Sequence, residues 1–368
     1  MNDTKIKIVV TAKMISGNFE PKFYPLIRME EIESIHILRK SLGPELNKLH
    51  FHTLPKIVNF KIANIFITPI KLILLIKKIK PDFILSYHII PHAFFAYFAN
   101  KIMGIPFVVC QTGGLIQIQC DKNRLLKHLI LHILKKAAFI NVPGEFSKNY
   151  WVKSGVNAEK INILHSVIDT AKFYNKKESK IYDFIYVGGL IRRKRVDKII
   201  RSFAVLYKQY SKCDNLKLLI VGKGNEEHNL KNLCQELNLN EHVIFYGFSD
   251  KVEELLNKVK IFIMSSEIEG LPVALMEAMA CELTVIAPDI YNIQQAIQNN
   301  YNGFLVTDNL DVSLTEKMKF AYLNYESNKM LRENARKTII EEHSVESAVV
   351  KWEKIITKLK KSNRYSHF

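Results

Sequence analysis

Short apolar, β-branched runs alternate with longer stretches of helical period along nearly the whole chain, the pattern of parallel strands joined by helices. Strands are predicted over residues 5–11, 34–39, 49–54, 80–88, 105–110, 138–143 and 161–165. A second series follows over 182–187, 216–221, 243–246, 259–264 and 283–287. Thr68 and Pro69 read as the cap and first turn of a helix running to about residue 79. Further helices are predicted over 124–136, 196–210, 250–259 and 345–359. The apolar stretch 57–67 is broken by Asn59, Lys61 and Asn64. With Pro69 beyond it, no run reaches the roughly 20 residues that span a bilayer. The polar, charged segment 172–180 reads as a linker, which gives an N-terminal domain of 1–172 and a C-terminal domain of 173–344. A last helix, about 345–360, is expected to cross back onto the first. The fold class is therefore α/β, with two Rossmann-like domains.

Composition sharpens this in one respect. The formal net charge is +17, and it is unevenly placed: residues 1–172 carry 24 Lys and Arg against 11 Asp and Glu, a net of +13. Nucleic acid, an anionic membrane surface, an acidic acceptor and a codon bias toward Lys, Asn and Ile all produce such asymmetry. No nucleic-acid motif accompanies it, which favours the membrane over nucleic acid. The stretch 124–136 adds to that reading, because Leu125, Leu126, Leu129, Ile130, Ile133 and Leu134 alternate with Arg124, Lys127, Lys135 and Lys136. Such a helix either lies in a headgroup layer or packs on a core. The five cysteines show no metal-ligand spacing and read as reduced core residues. No signal peptide is read at the start, so the chain is expected to be cytoplasmic, peripheral on the inner face of the cell membrane.

The most informative chemistry lies in residues 264–287. Gly270 supplies a tight loop after a strand, Leu271 is held extended by the proline that follows, and Pro272 reads as the first helical residue before Val273. A helix start at the carboxyl end of a strand presents free amide groups to a diphosphate. Glu269 and Glu277 stand two helical turns apart, suited to the hydroxyls of a sugar or ribose; the alternative is two solvated surface acids.

The string Glu-Gly-Leu-Pro followed by Glu-Ala-Met-Ala-Cys resembles the signature of family-4 retaining glycosyltransferases of the GT-B fold, whose two domains face each other across a cleft. The resemblance covers about residues 80–360 and implies a retaining hexosyltransferase, using a nucleoside-diphosphate sugar as co-substrate and no metal. Its acceptor would be a glycan or lipid-linked acceptor in the synthesis of a cell-surface polysaccharide or glycoconjugate. In that family the first glutamate contacts the sugar and the second the ribose, here Glu269 and Glu277. Gly188 opens the loop that ends in Arg192, Arg193, Lys194 and Arg195. Lys194 matches the family's diphosphate lysine, Gly189 stands at its arginine and Arg195 at a later glycine; Arg192 or Arg193 is the candidate replacement. Gly222-Lys223-Gly224 resembles the family's Gly-x-Gly turn. Phe248 reads as a stacking wall for the base or as core.

His88 matches a histidine that sits near the transferred sugar, and equally fits a hydrogen-bonded core residue. Gly17, Gly113 and Gly114 are the cleft-loop glycines on the acceptor side. Two rival readings stand beside the transferase. One is a degenerate GT-B subunit that binds a nucleotide-sugar or a partner enzyme; the other is a UDP-sugar epimerase.

Overall fold

The computed structural model describes residues 5–12, 20–55, 61–112, 115–210, 215–307 and 310–364, and separates the chain into two units. The first comprises residues 1–167 and 345–368, the second 168–344. Gly17, Gly113 and Gly114 lie outside the described residues.

In the first unit β1 (Ile6–Ala12), β2 (Ile32–Arg39), β3 (Leu49–Thr53), β4 (Phe83–Tyr87), β5 (Phe107–Cys110), β6 (Phe139–Val142) and β7 (Ile161–Ile163) form one parallel sheet. Its order is β3-β2-β1-β4-β5-β6-β7, which reverses between β1 and β4. The helices are α1 (Glu20–Arg28), α2 (Lys61–Ile79), α3 (Phe94–Met103), α4 (Leu115–Lys122), α5 (Arg124–Lys136) and α6 (Glu145–Lys153). Because side chains alternate along a strand, each face of the sheet has its own core. Ile8 and Val10 pack with Phe23 and Leu26 of α1, whereas Val9, Ile84 and Val109 pack with Leu72, Leu75 and Ile76 of α2, Phe95 of α3 and Ile130 of α5.

The helix expected to start at Pro69 begins eight residues earlier, at Lys61, and carries Pro69 inside it. A proline there removes one backbone hydrogen bond. The apolar face of Leu72, Leu75 and Ile76 is fully buried and holds the helix through the break.

The second unit repeats the plan with β8 (Tyr182–Val187), β9 (Leu218–Val221), β10 (Val243–Gly247), β11 (Val259–Ile263), β12 (Thr284–Pro288) and β13 (Phe304–Val306). Its helices are α7 (Val196–Tyr210), α8 (Glu227–Glu236), α9 (Val252–Asn257), α10 (Val273–Ala280), α11 (Tyr291–Gln294), α12 (Leu310–Leu323) and α13 (Lys329–Thr338). The order β10-β9-β8-β11-β12-β13 reverses between β8 and β11, the place where open α/β sheets as a class bind their ligands. The segment read as a linker is tied to this unit. Phe173 is buried, Asn175 donates to Glu282 at 2.9 Å, and the Lys176 N–H donates to Asn257 at 2.7 Å. The last helix, α14 (Val345–Arg364), belongs to the first unit, where Trp352, Ile355 and Ile356 are buried.

Candidate active site

The loops after β8, β9 and β11 build the site in the second unit. After β8, Gly188 and Gly189 run directly over Gly222 and Gly224, which follow β9. The Gly188 N–H donates to Val221 O at 2.9 Å and the Leu190 N–H to Lys223 O at 3.0 Å. A Cβ on Gly222 would collide with the carbonyl oxygen of Gly188, and one on Gly224 with that of Leu190. These glycines are required by close approach of two backbones, as the Gly-x-Gly pattern suggests.

Residues 192–194 then form one tight turn, and Arg195 enters α7 in the left-handed conformation, with φ 52°. That explains why the resembling family places glycine here. Arg195 tolerates the conformation while its guanidinium donates to Glu267 at 3.1 Å. Ser265 fastens the turn by donating to the carbonyls of Lys194 and Arg195, at 2.9 and 2.8 Å.

Through this turn, Lys194 meets Glu269. Its ammonium pairs with Oε1 of Glu269, and both side chains are largely shielded from solvent. Arg193 donates to the Ile268 carbonyl at 3.0 Å and lies 3.9 Å from Oε2 of Glu269. Arg192 is exposed and lines a cavity of about 690 Å³ with Arg195, Arg201 and Glu236. Of the two candidate replacements for the arginine absent at Gly189, Arg193 is therefore the one the fold brings to Glu269. The cations expected at a bare helix N-terminus are thus partly offset by Glu267 and Glu269.

Pro272 is the N-cap of α10 (ψ 123°) and Val273 its first residue, one position later than the sequence suggests. The helix buries Leu275, Met276, Ala278, Met279 and Ala280, which fixes its start at the end of the β11 loop. Its first-turn amides have no acceptor within the helix. Behind the loop, Asn292 of α11 donates to the Glu269 carbonyl at 2.7 Å. Sequence reasoning missed Asn292 because it falls where the chain departs from the family pattern. It also missed Tyr186, whose buried hydroxyl donates to Gly189 O at 3.0 Å. Burial and the nearby Glu269 charge push that phenol up.

Glu277, on α10, is the second carboxylate. Burial raises its pKa to about 7, with Lys172 opposing the rise and Glu253 adding to it. Lys172 and Glu253 form an ion pair of 3.4 Å. Neither Glu269 nor Glu277 stands in open solvent, against the reading of two surface acids. Phe248, at the end of β10, is 72% exposed, which removes the core reading.

In the first unit, His88 follows β4 directly, at the point where sheet order reverses. It is half-buried at φ 75°, a region non-glycine residues rarely occupy. Its N–H donates to Cys110 O at 3.0 Å and its Nδ1 donates to Tyr87 O at 2.9 Å, which places a proton on Nδ1. The neighbouring His92 is a core residue, buried and bonded to Thr11 Oγ1 at 2.8 Å.

Residues 167–338 match the model of glycosyl transferases group 1. The second unit is thus similar to the group 1 glycosyltransferases over almost its whole length. Among curated relatives, the N-acetyl-alpha-D-glucosaminyl L-malate synthase of Bacillus anthracis is 25% identical over 286 residues, 74% of each chain. The putative glycosyltransferase EpsD of Bacillus subtilis is 30% identical over 188 residues, 50% of this chain and 48% of that one. The alignment thus spans about half the length of EpsD. Among solved structures, Anabaena HepE in complex with UDP and glucose superposes with a TM-score of 0.78 at 14% identity, covering 96% of this chain and 99% of that one. The fold is GT-B, as the sequence implies.

Proposed function

We propose that the chain is a group 1 glycosyltransferase that moves a hexose-type sugar from a nucleoside-diphosphate donor to a glycan or lipid-linked acceptor, with retention at the anomeric carbon. The product would enter a cell-surface polysaccharide or glycoconjugate. The observation that carries the reading is the Lys194–Glu269 pair at the start of α10. It sets a cation and helix amides for a diphosphate beside a carboxylate for sugar hydroxyls. Lys194, Arg193 and the first turn of α10 would stabilise the leaving diphosphate, the interaction that grows most as the glycosidic bond breaks. In this reading they supply the charge, and no metal is called on. Glu277 would bond the ribose hydroxyls, and Phe248 is exposed enough to stack a base. His88 would stand near the sugar and leaving group. The relatives support this indirectly, since HepE was captured with UDP and glucose.

The test is a panel of UDP- and GDP-sugars offered to the pure protein, with melting temperature and release of nucleoside diphosphate both read. The reading expects one donor to raise the melting temperature and to be turned over. Binding of a donor with no turnover under any acceptor would favour the degenerate-subunit alternative.

A further inference from the structure

Helices α2, α3 and α5 bury one side each against the same face of the first sheet, and therefore turn their other sides outward together. The outward sides are not polar. Phe66, Ile70 and Leu74 form an i, i+4, i+8 ridge on α2, and Phe98 and Ile102 a pair on α3. Leu125 and Leu129 continue the surface on α5. All seven are between 47% and 81% exposed, far more apolar surface than scattered single residues leave. Tyr97 bonds His132 at 3.0 Å, which places the outer edges of α3 and α5 side by side.

The charge around this face is mostly positive. Residues 61–136 contain 11 Lys and Arg and two Asp. In a parallel sheet the connecting helices all run opposite to the strands, so their C-termini share one edge. Lys77 and Lys78 end α2, Lys101 lies in the last turn of α3, and Lys135 and Lys136 end α5; all five are exposed. An apolar ridge bordered by a row of ammonium groups is complementary to acyl chains beneath anionic headgroups. Among the described residues, no helix is long and apolar enough to cross a membrane.

We infer that the outward face of α2, α3 and α5 is a docking surface for an anionic lipid bilayer, with Phe66, Leu74, Phe98 and Leu125 entering the interface and the five lysines engaging phosphate headgroups. The inference rests on the first unit alone and does not depend on donor chemistry. It goes beyond sugar transfer by fixing which face of the enzyme meets the membrane.

The experiment is flotation of the full chain with phosphatidylcholine vesicles, with and without about 30 mol % phosphatidylglycerol, at low and high salt. Binding is expected to be at least about ten-fold stronger to the anionic vesicles and to weaken about ten-fold between ~50 and ~500 mM salt, as screening shortens. The charge variant Lys77→Glu/Lys78→Glu/Lys135→Glu/Lys136→Glu should lose about ten-fold or more. The apolar variant Phe66→Ser/Leu74→Ser/Leu125→Ser should lose the binding that survives high salt. Both are surface changes, and an unchanged melting temperature and nucleotide affinity show that each variant is folded. No flotation with anionic vesicles overturns the inference, as does binding that neither folded variant reduces. Capture by a protein partner, lost in both variants while vesicles bind nothing, assigns the face to protein and also overturns it.

Discussion

Lys194 and Glu269 neutralise each other across 75 positions of sequence, one from the turn before α7 and the other from the loop before α10. The pair does two things. It joins the two loops on either side of the β8/β11 reversal, and it keeps a cation from repelling the positive end of α10. A diphosphate would compete with Glu269 for that ammonium, leaving the carboxylate to turn to sugar hydroxyls.

Replacing the cation tests the diphosphate half of this. A charge-assisted hydrogen bond contributes about 1.5–3 kcal/mol, so Lys194→Ala should weaken nucleoside diphosphate binding about 10–100-fold. Binding of the matching nucleoside monophosphate should change about three-fold or less, since its single phosphate lies nearer the ribose. Calorimetric titration of both nucleotides against both proteins reads the difference; an unchanged ratio contradicts the placement of Lys194.

Glu277 gives a pH signature. Its folded pKa, about 7, lies above the ordinary carboxylate value of 4.5, so between those values the native state holds more protons than the unfolded chain. Stability from this group therefore falls as pH rises through that window. Glu277→Gln should stabilise the unliganded protein by about 1–3 kcal/mol at pH ~8 and by almost nothing near pH ~4.5. Chemical denaturation at the two pH values measures it.

The crossing of backbones at Gly188–Leu190 and Gly222–Gly224 leaves no room for a methyl group. Gly224→Ala should cost about 3 kcal/mol, because a backbone carbonyl rather than a flexible side chain must give way. Urea unfolding checks the stability loss, and donor titration should show weaker binding as the loop shifts. Gly189 is the contrast: a Cβ there meets nothing nearer than Lys223 O at 4.0 Å, so Gly189→Ala should be tolerated within about 0.5 kcal/mol.

Asn292→Ala removes the 2.7 Å bond to the Glu269 carbonyl without touching a charge. The expected effect is on the rate of transfer, a drop of about 5–20-fold, with nucleoside diphosphate affinity within about two-fold. A proportional loss of both would mean that Asn292 only holds the fold.

Hydrophobic pattern alone located the strands that carry the site, because each is a buried run ended by a glycine, proline or polar break. Helix α10, with Glu277 on it and Glu269 in the loop before it, was equally legible, since Gly270 and Pro272 punctuate the chain there. Other features were not. The start of α2 was hidden by Pro69, a strong local signal that packing of Leu72 and Ile76 overrides. The left-handed Arg195 was invisible because the position carries no glycine to announce it. Asn292 bonds a backbone carbonyl 23 positions away, a contact no local pattern encodes.

The most direct measurement is nucleoside diphosphate release from the matched sugar donor by Glu269→Gln, beside its affinity for that diphosphate. The amide keeps the shape and frees Lys194, so diphosphate should bind as well as in the parent, or a few-fold tighter. Release of the diphosphate from the donor should fall by about 100-fold or more. Full turnover by Glu269→Gln would contradict the account at its centre.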